Sequence, residues 1–161
     1  MDEPSERFLT MSLHDYQAAK LLIEKAGGDF DGPKPETLIG AAEQALELKF
    51  APSYRRFLLE LGCGNLKGLE IYGVINENFD RSCVPNGIWL TLHERLNLGL
   101  STRYVLIGDD GDSGYYAIDT FMSNLSGENP VVKLAVDGRQ SEQIADSFGS
   151  YLLEAVKAAI D

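Results

Sequence analysis

At 161 residues the chain is long enough for one domain with a real core and too short for two comfortable ones. Apolar residues at 44% exclude a disordered chain, and 14 Lys+Arg against 25 Asp+Glu leave a net charge of −11. Such a surface repels phosphate backbones, which disfavours nucleic acid as a partner; it either steers toward a basic protein or does no more than keep the chain soluble. The longest apolar runs, such as Phe57-Leu58-Leu59, are far too short to span a bilayer, so no membrane association is expected. The start, MDEPSERF, has neither the basic nor the apolar part of a signal peptide, and the expected compartment is the cytoplasm. Cys63 and Cys83 are expected as free thiols rather than a disulfide framework.

Along the chain, residues 1–11 read as a loose lead-in. Ser12, with Asp15 three positions on, has the form of a helix-capping box. Leu13, Tyr16, Ala19, Ile23 and Ala26 then recur at helical spacing over 13–26, and Gly27 can close that helix in a left-handed conformation. Residues 27–35, GGDFDGPKP, carry turn signals only. A second helix follows over about 36–48, with Leu38, Ile39, Ala42, Ala45 and Leu46 on one stripe. Pro52 is placed to open a third, because a first-turn proline gives up an N–H that has no partner anyway. That helix, over 53–61, buries Tyr54, Phe57, Leu58 and Leu61, turns Arg55, Arg56 and Glu60 to solvent, and is stopped by Gly62 and Gly64.

Residues 68–74 read as a short strand. The stretch 76–100 is the least legible: Asn86-Gly87 is a turn signal, and 88–98 has the pattern of a short helix with Leu92, Leu96 and Trp89 inward. Strands are expected over 103–107 and 114–119, joined by the turn Asp109-Asp110-Gly111-Asp112-Ser113. Residues 124–129 form another loop. A strand over 131–136 follows, with Val132, Leu134 and Val136 on one face. Ile144, Phe148, Leu152, Ala155, Val156 and Ala159 predict a closing helix over 144–159. With helices first, antiparallel strands in the middle and a helix last, the fold class is α+β, helices packed on one side of a mostly antiparallel sheet.

The chemistry-bearing residues do not assemble into a recognisable catalytic or cofactor motif. Counting twelve positions from Asp109 reaches Thr120 rather than the glutamate a calcium loop requires, so the acidic turn is read as solvated carboxylates. Cys63, Cys83, His14 and His93 lack the short spacings of a zinc site, and a Cys63–His93 nucleophile pair has no group to orient the base. Residues 108–114 are glycine-rich, but a phosphate cradle is followed by a helix and does not hold three carboxylates. No metal or cofactor is expected. If 114–119 is a strand, Tyr115 and Tyr116 point to opposite faces, one to the core and one to solvent.

Three blocks together carry a resemblance. They are Ile39, Glu43, Pro52, Tyr54, Phe57, Leu58, Gly62 and Gly64; then Asp109, Asp110, Gly111, Gly114, Tyr115, Tyr116 and Asp119; then Val131, Val132, Ser147, Phe148, Leu152 and Leu153. In this order and spacing, over about 35–155, the chain resembles the SMI1/KNR4 family of the SUKH superfamily. It departs in having Gly62-Cys63-Gly64 where a Gly-Gly pair is common, and Ala51-Pro52 where Leu-Pro is usual. The resemblance implies a single α+β domain over 1–161. Its bacterial members look like immunity proteins that bind and neutralise a polymorphic-toxin domain, often a nuclease; its fungal members act in cell-wall and signalling regulation through protein contacts. Neither role needs an active site. The expectation is therefore a non-enzymatic protein-binding protein, an immunity protein first and a regulator or scaffold second. Its partner is expected to be a basic toxin domain, met by Glu70, Asp109, Asp110, Asp112, Tyr115 and Tyr116.

Overall fold

A computed structural model of the chain describes residues 4–135 and 141–161. In chain order the elements are α1 (Pro4–Lys25), β1 (Asp29–Phe30), α2 (Glu36–Leu46), α3 (Pro52–Glu60), β2 (Gly64–Leu66), β3 (Leu69–Ile71), α4 (Gly87–Asn97), β4 (Tyr104–Asp109), β5 (Gly114–Asp119), β6 (Val131–Ala135), β7 (Ser141–Ala145) and α5 (Phe148–Ile160). The strands form two sheets, β1-β2-β3 and β4-β5-β6-β7, with every neighbouring pair antiparallel. The α+β class holds.

The four-stranded sheet buries both of its faces, with register shifts at Leu106/Gly108 and Val131/Val132. Val105, Ile107, Ile118 and Val131 join one core cluster, while Leu106, Ala117, Val132 and Leu134 join another on the opposite face. The first cluster lies under α1, α2, α3 and α5. Phe57, Leu58, Phe148 and Leu152 sit at its centre, none more than 2% exposed. The Phe148 ring stands 4.8 Å from Tyr54 and 5.1 Å from Phe57. The helices are not all on this side. Helix α4 runs along the β4 edge, sending Ile88 to the first cluster and Leu90 to the second. Its buried Thr91 Oγ1 accepts the Leu106 N–H at 3.0 Å, so an edge group that would otherwise seek another strand is already bonded.

Several expectations change. Helix α1 begins at Pro4, so residues 4–11 are helical rather than lead-in. Ser12 therefore lies inside a helix instead of capping one, and its hydroxyl donates to Glu128 Oε2 at 2.7 Å. Gly27 does take a positive φ, at 74°. The segment read as loop over 27–35 contains β1, which pairs with β2. The single expected sheet is divided: β3 is shorter than 68–74 and belongs to the small sheet, linked to β4 by the Tyr72 N–H to Ile107 carbonyl bond at 2.9 Å. Asn86 both closes a turn, its N–H donating to the Cys83 carbonyl at 2.9 Å, and caps α4, its side chain accepting from the Trp89 N–H at 3.1 Å. Leu96 points outward, 88% exposed. Residues 141–145 form strand β7, and α5 starts only at Phe148, capped by Ser147; Ile144 is thus a strand residue facing solvent. Val136 lies outside the described residues.

At the junction of α1, α3 and α5 a polar knot interrupts the apolar core. Glu128, with no exposed surface, accepts the Ser12 hydroxyl, the Ser53 hydroxyl and, at 2.8 Å, the Ser53 N–H. Ser53 Oγ in turn accepts the Gly149 N–H at 3.0 Å. Gly149 is required there: a Cβ on it would stand 2.2 Å from the Ser12 carbonyl oxygen.

Candidate functional site

The acidic turn between β4 and β5 is a built structure. Asp110 Oδ1 accepts the N–H groups of Asp112 at 2.8 Å, Ser113 at 3.1 Å and Gly114 at 3.0 Å. Those bonds, led by that from Asp112, hold the Asp110 carboxyl below the usual aspartate range. Asp109 Oδ1 accepts from the Gly111 N–H at 2.6 Å. The reading of three solvated aspartates is therefore corrected. Asp110 is the frame of the turn, whereas Asp109 and Asp112 are its exposed charges.

Beside the turn, the small sheet and the large sheet meet. Glu70 occupies the middle of β3, opposite Asn65 of β2, and is half-buried. Two residues along, Tyr72 is buried at 4% exposure. Burial pushes its phenol up to about 12, and the carboxylates of Glu70 and Asp109 add to the shift. Tyr115 lies on the same side: its hydroxyl stands 3.3 Å from Glu94 Oε2 on α4, and burial, Glu94 and Asp109 all raise it. Glu70, Asp109 and Tyr115 are thus brought together, joined by Tyr72 and Glu94. Neither of the last two was singled out from the sequence. Tyr72 had a usable signal, because in a strand it shares a face with Glu70 two positions before it. Glu94 had none, since nothing local places α4 against β5.

Tyr116 is separated from this group. It points to the opposite face of β5 and packs on Tyr151 of α5, ring centroids 5.4 Å apart. Both tyrosines are half-buried, so neither is the core residue nor the fully exposed one that alternation alone implied. On the other side of Glu70 a groove of about 370 Å³ is lined by Asp29, Asp31, Cys63 and Asn65. Asp31 is paired with Lys34, which also donates to the Ile75 carbonyl at 2.9 Å. Burial, then Asp31, raises the Cys63 thiol to about 11, so it is a protonated, unreactive sulfur at neutral pH.

Among the described residues no group of His, Cys, Asp and Glu is arranged to hold a metal ion, and no helix is long and apolar enough to cross a membrane. Cys63 is buried, while Cys83 is exposed; both are free. His93 stacks on Trp89 at 4.9 Å. What the arrangement can do chemically is present a fixed edge of carboxylates, Glu70, Asp109 and Asp112, backed by tyrosine rings: a surface suited to cationic side chains.

The order of helices, the two antiparallel sheets and the glycine-bounded turns agree with the match of residues 10–157 to the family model SUKH_5, described as SMI1-KNR4 cell-wall. That match spans nearly the whole chain, and the protein belongs to the SMI1-KNR4 family.

Proposed function

We propose that the chain is a single-domain, non-enzymatic binding protein of the cytoplasm that neutralises a toxin domain, a nuclease being the first to test, by one-to-one occlusion. The observation that carries this reading is the acidic edge formed by Glu70, Asp109 and Asp112 next to Tyr72 and Tyr115. Nucleases that bind phosphate backbones expose basic clefts. An acidic body with a net charge of −11 would speed encounter with such a cleft and then cover it. Tyrosine rings next to the carboxylates supply apolar contact area, which tyrosine provides at interfaces at low entropic cost.

The test is association kinetics, at low and high salt, against any toxin domain found encoded next to this gene. The variant is Glu70→Gln, Asp109→Asn and Asp112→Asn together, with Asp110 kept because it holds the turn. Slower association, a smaller salt dependence and an unchanged melting temperature are expected, because exposed charges beyond about 8–10 Å are screened at physiological ionic strength. Unchanged kinetics would move the interface elsewhere. The family's description includes the words cell-wall, which favours a second reading, a regulator or scaffold of the same fold. That reading is preferred if no toxin neighbour binds.

A further inference from the structure

Helix α4 buries one face and leaves the other open. Thr91 and Glu94 turn inward, while Trp89, Leu92, His93 and Leu96, at positions i, i+3, i+4 and i+7, share the outer face. Leu96 is 88% exposed. With Phe79 from the preceding loop these side chains line a hollow of about 490 Å³, whose charged groups are Arg95 and Asp80. One wall is flat and held in place. The His93 ring stacks on Trp89 at 4.9 Å, with 27° between the planes, and Asn97 Nδ2 stands 2.7 Å from His93 Nε2.

Arg95 gives the hollow its polar demand. Its Nη1 donates to the Leu46 carbonyl and its Nη2 to the Thr102 carbonyl, each at 3.1 Å. Neither acceptor is charged, and Arg95 makes no ion pair among the described residues. Its Nε–H is the one buried side-chain polar group among the described residues that meets no acceptor in the protein. Buried donors are nearly always paired, so this one calls for a partner from outside the chain. Nη2 keeps a second N–H, and the edge formed by Nε and Nη2 can take both oxygens of a carboxylate side-on.

Charge and shape together select the occupant. An anion completes the guanidinium. The volume falls within the roughly 300–1,000 Å³ of small-molecule sites, which pair apolar walls with a few polar groups. An aromatic ring gains contact with the rings of Phe79 and Trp89 beyond its buried area. Asp80 at the rim, on a body with a net charge of −11, opposes a second negative charge on the ligand. We propose that this hollow is a small-molecule site for an aromatic monocarboxylate, with the carboxylate on Arg95 and the ring among Phe79, Trp89 and Leu92. It is distinct from the acidic edge, which meets α4 on its buried face through Glu94 and Tyr115.

Trp89 is the only tryptophan of the chain, so a single indole N–H resonance of the isotope-labelled protein reports on the hollow. Phenylacetate should shift that resonance saturably, with a dissociation constant of about 1 mM or tighter. Three comparison compounds should each bind at least about tenfold more weakly: phenylacetamide, which keeps the shape without the charge; acetate, which lacks the ring; and 1,4-phenylenediacetate, which adds a second carboxylate. Arg95→Lys keeps a positive charge but loses the Nε–Nη2 edge, and should weaken phenylacetate by a similar factor. Leu96→Glu, at an exposed position, should do the same at an unchanged melting temperature, and decides the matter if the Arg95 variant does not fold. The proposal is overturned by an indole resonance that phenylacetate leaves in place, by equal binding of any of the three comparison compounds, or by a Leu96→Glu protein that binds phenylacetate as the parent does.

Discussion

Phe148 shows what a single side chain does here. It opens α5, is 2% exposed, and touches the rings of Tyr54 and Phe57 from α3. Truncation would leave a cavity bounded by the Tyr54 and Phe57 rings, which are fixed on α3 and cannot move far enough to fill it. Phe148→Ala should cost about 3–5 kcal/mol in chemical denaturation, whereas a loss under about 1 kcal/mol would make the terminal helix peripheral. Glu128 is the opposite kind of residue. In the sequence it sits in a polar loop and looks solvated; in the fold it is fully buried and accepts bonds from α1 and α3. Asp110 shares that history on the surface, a carboxylate consumed by backbone N–H groups rather than offered to a partner.

Among the elements, α4 has the least obvious task. Its Thr91 hydroxyl accepts from Leu106 N–H and donates to the Gly87 carbonyl at 2.7 Å, all three residues being buried. Thr91→Val keeps the shape but strands the Leu106 N–H on the β4 edge. A loss of about 1–3 kcal/mol in urea unfolding is expected, with the far-UV spectrum unchanged. A negligible loss would mean that water reaches this edge. At the other side of the sheet β7 leaves Ser141, Glu142, Gln143 and Ile144 exposed. Its polar side chains and short length discourage further pairing. Helix α5 and strand β7 also explain a misreading: Ile144 fits the helical repeat numerically, but Ser147 caps the helix three residues later and assigns Ile144 to the strand.

For the whole molecule the pH response follows from buried acids kept protonated. Burial raises Cys63 from 9.0 to about 11 and Tyr72 from 10.0 to about 12. In both the folded pKa lies above the unfolded one. Their contribution is therefore complete below pH 9.0 and is lost as pH rises through about 11 and then about 12. Burial moves Tyr16, Tyr54 and Tyr151 in the same direction, which steepens the alkaline side. Urea unfolding at stepped pH should show stability falling above pH 9.0, with Cys63→Ala removing the first part of the fall and Tyr72→Phe a later part. A flat profile to pH 11 for the parent would contradict the burial of the thiol.

The sequence by itself determined the elements that carry their own periodic signal. Helices α2 and α3 and strands β4 to β6 were read within a few residues, and Phe57, Leu58, Phe148 and Leu152 were read as one core. Each of these places apolar residues at the helical or strand repeat, so local pattern and global packing agree. The family was legible for the same reason, because its signature residues are the ones that pack and turn. Tertiary structure alone decided the rest. Strands β1 and β2 have two and three residues, too few to show alternation, and they exist because they pair with each other and with β3. The strands divide into two sheets, joined where the Tyr72 N–H donates to the Ile107 carbonyl, an arrangement that no local pattern encodes. At the candidate site, Glu70, Asp109 and Tyr115 were within reach of sequence reasoning, but Glu94 was not, and the packing of Tyr116 on Tyr151 across the other face of β5 carries no local signal. A carboxylate in a loop has the same sequence appearance whether it meets water, a backbone N–H or a serine. Only the packing of distant segments chooses among them, which is why Asp112 is exposed, Asp110 frames a turn and Glu128 is buried.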